Sequence, residues 1–297
     1  MKFIYIFITL FFSVASANAK DWKALWITSS SCQSVTNSWI CYHKTVELPE
    51  PDGSPVYADI AVDSKYWMWI NGELVVFEGG LKRGPNPKDT YYDRVDIAPY
   101  LTEGKNSIAI LLWYFGKDGF SHNSSGRAGL LFDCQTEKFE ILSDASWRCK
   151  PYEAYEQTGA PHPNWRLPES NIRFDARKEY AGWTEKDANP RFHRAVPLGE
   201  AGMAPWNNLV ERPIPLWKDF GIQEYVSIEK REGAEVDTFY CKLPYNCHAT
   251  PFLDVTAPAG KEIRVRFEVP EGTTAWIVKN GKRQSFGAGK HQVTLSE

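Results

Sequence analysis

The stretch KYWMWINGELVVFEGG, residues Lys65–Gly80, carries the clearest fold signal in the sequence. Two runs rich in aromatic and β-branched residues flank the dipeptide Asn71-Gly72. An Asn-Gly pair between two such runs favours a type I′ turn, because both residues tolerate a positive φ angle. The stretch therefore predicts a β-hairpin.

Similar short runs continue on both sides of this hairpin. VYADIAV precedes it, and VDIAPYLTEGKNSIAILLWYF, RAGLLFDC, KFEILS and ASWRCK follow it. The 19 prolines and 21 glycines recur between these runs, and no long window places apolar residues at helical spacing. Many short strands separated by turns are typical of an all-β sandwich.

The length of 297 residues favours two domains. The first nineteen residues, MKFIYIFITLFFSVASANA, combine an early lysine, a short apolar run and an Ala-x-Ala ending, which predicts a secretory signal peptide. We therefore expect a soluble protein that is exported, periplasmic or secreted, with no membrane segment after cleavage. The predicted organisation is a signal peptide (1–19), a jelly-roll β-sandwich (20–200), a Pro-rich connector (201–224) and a second, smaller and possibly incomplete β-sandwich (225–297).

Charge and cysteine content exclude several classes of function. The net charge of −3 comes from interspersed charges of both signs, whereas a nucleic-acid partner would usually require a basic stripe. No Cys-x-x-Cys occurs, which disfavours zinc and thioredoxin-like chemistry. Export permits disulfides among the six cysteines, but free buried thiols are at least as compatible with the sequence. The sequence-near pairs are Cys32/Cys41, Cys134/Cys149 and Cys241/Cys247.

Several of these motifs, in this order, resemble the N-terminal jelly-roll module of bacterial α-L-rhamnosidases, which is similar to the galactose-binding-like sandwiches of glycoside hydrolases. The resemblance rests on WMWINGELVVFEGG, YYDRVDIAPYLTEGKNSIAI and LLWYFGKDGFSHNSSGRAGLLFDC, and it extends through LVERPIP and LPYNCHATPFLDVTAPAGK. It implies a β-sandwich followed by the start of a second β-domain.

The family's catalytic unit is an (α/α)₆ barrel of several hundred residues, for which this chain has no helical periodicity and no room. The segment 267–295 resembles the last strands of the β-domain that follows the barrel, so the second β unit is predicted to be composite, with a seam near residues 264–267. A genomic deletion and a gene-model error would both give this order of segments.

The resemblance therefore implies a non-catalytic, carbohydrate-binding accessory region of an α-L-rhamnosidase-like glycoside hydrolase, whose partner is a rhamnose-containing glycan. Two alternatives remain open: an active α-L-rhamnosidase or a fragment of one, and an inert structural remnant. The family's acid and base belong to the absent barrel, so no catalytic residue is assigned.

Two loops combine aromatic rings with polar side chains, which is the chemistry that a sugar's apolar faces and polar rim require. The predicted carbohydrate-binding residues of the first loop are Trp113, Tyr114, Lys117, Asp118, His122 and Asn123. Those of the second loop are Asn86, Asp89, Tyr91, Tyr92 and Asp93. For any single one of these residues, core packing or turn formation is the competing interpretation. No cofactor is expected, although Asp89 and Asp93 with nearby carbonyl groups are conceivable calcium ligands.

Overall fold

The computed structural model describes residues 20–81, 84–119, 122–157, 172–218, 221, 224–232 and 238–243 and the strands 263–269, 275–279, 282–286 and 289–295. The predicted signal peptide and Cys247 lie outside the described residues. The chain divides into two compact units, Met1–Asp219 and Phe220–Glu297. No helix in the described part is long and apolar enough to span a bilayer.

The described residues of the first unit form fifteen strands. They are β1 (Leu25–Thr28), β2 (Ser38–Leu48), β3 (Tyr57–Asp63), β4 (Lys65–Ile70), β5 (Glu73–Gly80), β6 (Thr90–Asp96), β7 (Gly104–Tyr114), β8 (Gly129–Gln135), β9 (Glu140–Leu142), β10 (Arg148–Pro151), β11 (Tyr155–Gln157), β12 (Ile172–Phe174), β13 (His193–Arg194), β14 (Val196–Glu200) and β15 (Leu209–Glu211). The only helical turns described are two short 3₁₀ segments, Ala98–Tyr100 and Ala176–Lys178. The all-β prediction is confirmed.

Two sheets form a sandwich, as the sequence predicts. Sheet A has the strand order β14-β1-β8-β3-β6-β15, with β9 paired to β8, and sheet B has the order β13-β10-β2-β7-β4-β5. Alternate side chains from both sheets meet in one core, which includes Ile60 and Phe132 from sheet A and Tyr42, Met68 and Ile110 from sheet B. Strands with a period of two thus bury one face of each sheet against the other.

The predicted β4–β5 hairpin is confirmed, and a polar network holds its turn. Asn71 and Gly72 have φ angles of 53° and 89°, as a type I′ turn requires. The Asn71 amide nitrogen donates to the Asn106 side-chain oxygen at 2.8 Å, and the Asn106 amide nitrogen donates to the carbonyls of Thr102 and Gly104. The motif TEGKNSIAI, which carries part of the family resemblance, therefore ties the turn before β7 to the turn of the β4–β5 hairpin.

The outer face of sheet A is closed by residues from the predicted connector. The indole of Trp206 stacks on that of Trp26 with 4.2 Å between ring centroids, and both residues are fully buried. Strand β15 then pairs in parallel with β6, opposite residues 90–92. The predicted connector, residues 201–224, is thus an integral part of the sandwich up to Glu211, because its apolar residues bury an otherwise exposed sheet face.

The outer face of sheet B is crossed by the described residues of the segment 152–192. Tyr152, Trp183 and Phe192 from this segment pack with Trp39 and Trp113 from the sheet. The Pro-, Asn- and Trp-rich composition of residues 151–190 predicts irregular structure that wraps over the sandwich. Outside residues 158–171, which are not described, the segment crosses sheet B, but its strands β11 and β12 form an antiparallel pair.

The second unit contains β16 (Ser227–Arg231), β17 (Thr238–Lys242), β18 (Ile263–Val269), β19 (Ala275–Lys279), β20 (Lys282–Phe286) and β21 (Gly289–Leu295). These strands pair two by two: β16 with β17, β18 with β21 and β19 with β20. The predicted seam at residues 264–267 lies inside β18, which pairs with β21 without a register shift. A composite origin of this unit stays a prediction.

The described cysteines are all free thiols. Cys32, Cys41, Cys134 and Cys149 are buried in the first unit and Cys241 is exposed in the second. Burial raises the pKa of the Cys149 thiol to about 11 and that of the Cys134 thiol to about 12. These four buried cysteines act as small apolar side chains of the core.

Candidate functional site

The two predicted loops lie at the same end of the sandwich. Register pairs Asp63 with Gly129 and Lys65 with Trp113, so the end of β3, the start of β8 and the end of β7 meet. The start of β6 joins this end through Asp93, whose carboxylate accepts from the Gly80 amide at 2.7 Å. The sequence thus identified two neighbouring loops.

The aromatic rings of Trp113 and Tyr114 in the first loop are buried and are not available to stack on a ligand. Trp113 is 4% exposed and Tyr114 is 1% exposed. The Trp113 indole stacks on Trp39 with centroids 5.1 Å apart and donates to the Asn37 side-chain oxygen at 2.8 Å. Because Trp39, Asn37 and the edge-on ring of Phe115 enclose this indole, it contributes to packing rather than to a ligand surface.

The polar residues of the first loop bind the loop's own backbone. The Asp118 carboxylate accepts from the Ser124 amide at 2.8 Å, and His122 Nε2 donates to the Lys117 carbonyl at 3.0 Å. Lys117 and Asp118 are exposed, Asn123 is half-buried and His122 is buried. Asp118 and His122 thus shape the loop through one hydrogen bond each to its backbone.

The second loop is tied to the chain that follows β14. Asp89 accepts hydrogen bonds from Asn86 and Asn208, and Asp93 forms an ion pair with Arg212. Burial raises the pKa of Asp93, although Arg212 and the Gly80 amide oppose the increase. Tyr91 and Tyr92 are half-buried, and the Tyr92 ring packs edge-on against Trp22. In the described residues, no group of three or more His, Cys, Asp or Glu side chains is arranged to hold a metal ion.

An aromatic pocket lies elsewhere, between the outer face of sheet B and the crossing segment. It has a volume of about 310 Å³ and is lined by Trp69, Leu111, Tyr152, Tyr155, Glu179, Tyr180, Ala181, Gly182, Trp183 and Thr184. Trp69 meets Trp183 edge-on at 5.8 Å, and Tyr152 meets Tyr180 edge-on at 5.5 Å. Trp69, Tyr155 and Tyr180 are only partly buried, so their rings combine a packed edge with an accessible surface.

Polar atoms border these rings. The Tyr152 hydroxyl donates to the Glu179 carboxylate at 3.3 Å, and the Tyr180 hydroxyl donates to the Pro151 carbonyl at 2.7 Å. Lys150 places its ammonium group 4.2 Å from the centre of the Tyr180 ring. Burial raises the pKa of the Tyr152 hydroxyl, and the adjacent Glu179 carboxylate raises it further. The pocket therefore offers aromatic faces with a fixed acceptor at its rim.

Another cleft, of about 730 Å³, lies by sheet A, and Lys20 and Asp59 are among its lining residues. Asp59 and Asp133 are directly opposite each other on β3 and β8, and the Lys20 ammonium contacts both. Burial alone would raise the pKa of Asp133, but hydrogen bonds from Gln135, the Ala24 amide and Lys20 lower it overall. These contacts fasten the N-terminal strand to sheet A.

Sequence reasoning missed the residues of the aromatic pocket. A usable signal was present in KYWMWI, where Trp67 and Trp69 alternate with the core residues Tyr66 and Met68. A strand that is apolar on both faces must have its outer face covered or available to a ligand. The residues of the crossing segment that line the pocket with Trp69, such as Tyr180 and Trp183, follow no regular sequence pattern that would predict their contact with β4.

No protein-family model and no curated protein sequence matches the chain. Its fold is similar to that of solved rhamnosidases. A GH78 family rhamnosidase of Bacillus sp. GL1 is 22% identical and superposes with a TM-score of 0.62 over 93% of this chain and 32% of its own length. The α-L-rhamnosidase of Dictyoglumus thermophilum is 17% identical, with a TM-score of 0.53 over 86% of this chain and 26% of its own. The α-L-rhamnosidase of Aspergillus terreus is 15% identical, with a TM-score of 0.52 over 92% of this chain and 33% of its own length. The chain thus has the fold of part of these enzymes and spans about a third of their length or less.

Proposed function

We propose that this chain is a non-catalytic, carbohydrate-binding accessory region of the α-L-rhamnosidase type, and that its ligand is a rhamnose-containing glycan. The aromatic pocket on sheet B carries the proposal. Accessible rings of Trp69, Tyr155 and Tyr180 match the apolar face of a sugar, and Glu179 provides an acceptor for its hydroxyl groups. Small-ligand sites combine mainly apolar walls with a few placed polar groups in this way.

The same pocket supports binding without hydrolysis. Glycoside cleavage requires two carboxyl groups about 5–9.5 Å apart on either side of the scissile bond. Among the described residues that line the pocket, Glu179 is the single carboxylate. The carboxylates of Asp59 and Asp133 lie outside this pocket, and Lys20 contacts both of them. A sugar in the aromatic pocket is therefore retained intact.

The position of the ligand differs from the one that the sequence predicts. We place it at Trp69 and Tyr180 rather than at Trp113 and Asp118, because the Trp113 ring is enclosed and Asp118 is engaged by its own loop. The rhamnose preference is drawn from the fold similarity to rhamnosidases.

Calorimetric titration of the full chain with methyl α-L-rhamnoside and with short rhamnosides tests the proposal. We expect dissociation constants of about 1 mM, equivalent to about −4 kcal/mol. Trp69→Ala should abolish the binding. Trp217→Ala is the matched control, because Trp217 is 71% exposed and lies outside the pocket. Equal binding by wild type and Trp69→Ala, or release of product from an aryl α-L-rhamnoside by the wild type, would contradict the proposal.

A further inference from the structure

Strand register places a row of basic side chains beside the aromatic pocket. Arg194 on β13 is directly opposite Arg148 on β10, which is directly opposite His43 on β2. The neighbouring residues Cys149 and Ala195 point into the sandwich core. The alternation of a strand therefore sends Arg148 and Arg194 to the outer face of sheet B, on the side of the crossing segment.

A second pocket, of about 460 Å³, lies at this row. Its walls include His43 and Arg148 from the sheet and Asn189, Arg191 and Phe192 from the crossing segment. The Phe192 ring also packs against Tyr180 and Trp183, with centroids 5.6 and 6.3 Å away. Because Tyr180 and Trp183 line the aromatic pocket, the two pockets share a wall.

The arginines at this pocket have no ion-pair partner among the described residues, whereas Lys44, which also lines it, pairs with Asp144 at 4.0 Å. None of Arg148, Arg191 and Arg194 forms an ion pair with a described carboxylate. Like charges directly opposite each other on adjacent strands are destabilising, and the chain as a whole is acidic, with a net charge of −3. The row thus forms a locally positive surface on a chain of negative net charge, and a bound anion would stabilise it.

We infer that Arg148 and Arg191 bind the carboxylate of an acidic sugar, so that the glycan held by the aromatic pocket is a uronic-acid-containing one. This inference rests on the proposed function, since it takes a sugar ring at Trp69 and Tyr180 as its starting point. The guanidinium group presents paired donors that match a carboxylate in two parallel hydrogen bonds. Aromatic and arginine pockets with a common wall fit one oligosaccharide that carries a neutral ring and an acidic one.

A matched pair of ligands tests the inference on the full chain. One is a disaccharide of α-L-rhamnose linked to glucuronic acid, and the other is its carboxyl-reduced counterpart, in which CH₂OH replaces the carboxylate. We expect the acid to bind the wild type at least about tenfold more tightly at low ionic strength, because two charge-assisted hydrogen bonds are gained. Arg148→Gln and Arg191→Gln should each reduce this ratio by weakening the binding of the acid more than that of the reduced disaccharide.

Arg94→Gln is the matched control, because it makes the same substitution at an exposed position on sheet A and should preserve the ratio. Equal affinity for the two disaccharides would overturn the inference and leave the proposed function standing. Absence of binding by both would overturn the two together. Inorganic phosphate or a DNA oligonucleotide that binds the wild type as tightly as the acidic disaccharide would show a general anion site and overturn the assignment to a sugar.

Discussion

On the outer face of sheet A, two buried tryptophans stack beneath the chain that follows β14, whereas the outer face of sheet B is crossed by a segment that leaves two pockets open. Trp26 and Trp206 are fully buried, and Gly129 lies so close that a Cβ atom there would come within 2.6 Å of the Trp206 ring. On sheet B, the rings of Trp69 and Tyr180 stay partly accessible. Aromatic residues thus provide packing on sheet A and an accessible pocket on sheet B. The difference depends on how completely the covering chain excludes water from the rings.

The largest expected effect is the loss of the sheet A stack. Trp206→Ala should lower the free energy of unfolding by about 3–5 kcal/mol, because it removes a fully buried indole and leaves a cavity against Trp26. Chemical denaturation followed by circular dichroism measures this. Trp217→Ala, at an exposed position, should change stability by less than about 0.5 kcal/mol. Equal effects of the two substitutions would remove the distinction between the faces.

The next effect concerns His43, a buried residue on the sheet B face whose Nε2 lies 2.8 Å from the Ser107 hydroxyl. Burial, with a contribution from Lys105, lowers its pKa to about 4. The unfolded chain, with a histidine pKa of about 6.5, then binds more protons than the folded chain between pH 4 and 6.5. Stability should therefore fall as the pH is lowered through this window.

His43→Gln should remove roughly 3 kcal/mol of the stability difference between pH 7 and pH 4. Denaturation of both proteins across that range measures it. His193→Gln, at an exposed histidine on β13, should leave the pH dependence as it is in the wild type. A wild-type slope retained in His43→Gln would show that another group titrates.

A smaller effect is expected from overfilling the sheet A stack. Gly129→Ala should lower stability by about 1–3 kcal/mol, since its new methyl group meets both the Trp206 and the Trp26 rings. In the Trp206→Ala background the same change should cost clearly less, because the nearest ring is gone. A double-mutant cycle measures this coupling, and strict additivity would show that the glycine is required for another reason.

The smallest effect on stability is expected on sheet B. Trp69→Ala should lower the free energy of unfolding by about 1 kcal/mol, because the ring is only partly buried, while abolishing glycan binding. The stability loss from Trp206→Ala should exceed it by severalfold, with binding retained. If Trp69→Ala proves as destabilising as Trp206→Ala, the sheet B pocket is a packing defect rather than a site.

Much of the fold could be predicted because its signals are local. Asn71-Gly72 specifies a turn through the φ angles of two adjacent residues, and the runs of aromatic and β-branched residues in β4 and β7 specify strands. The extent of the first unit could not be read in this way. Strand β15 belongs to it through pairing with β6, and a composition rich in proline gives no indication of such a distant partner.

The candidate site was less predictable because it depends on contacts between residues that are far apart in sequence. The aromatic run at Trp113 predicts an exposed surface only if nothing covers it, and its cover comes from Asn37 and Trp39, about 75 residues earlier. The row formed by His43, Arg148 and Arg194 depends on the register of three strands that are far apart in sequence. The spacing of these residues along the chain does not predict which of them are paired across the strands.

The position of β1 in sheet A has a consequence for the order of assembly. This strand is made first, yet it lies between β14 and β8, and its longest pairing is with β14, residues 196–200. Pairing between residues so far apart in sequence slows folding, because the entropy of closing the loop is lost before the contacts form. We expect the N-terminal strand to stay undocked on the nascent chain until Glu200 has emerged, and sheet A to be complete only when β15 follows. Protease protection of chains arrested at successive lengths would measure this, and early protection of β1 in chains shorter than 196 residues would contradict it.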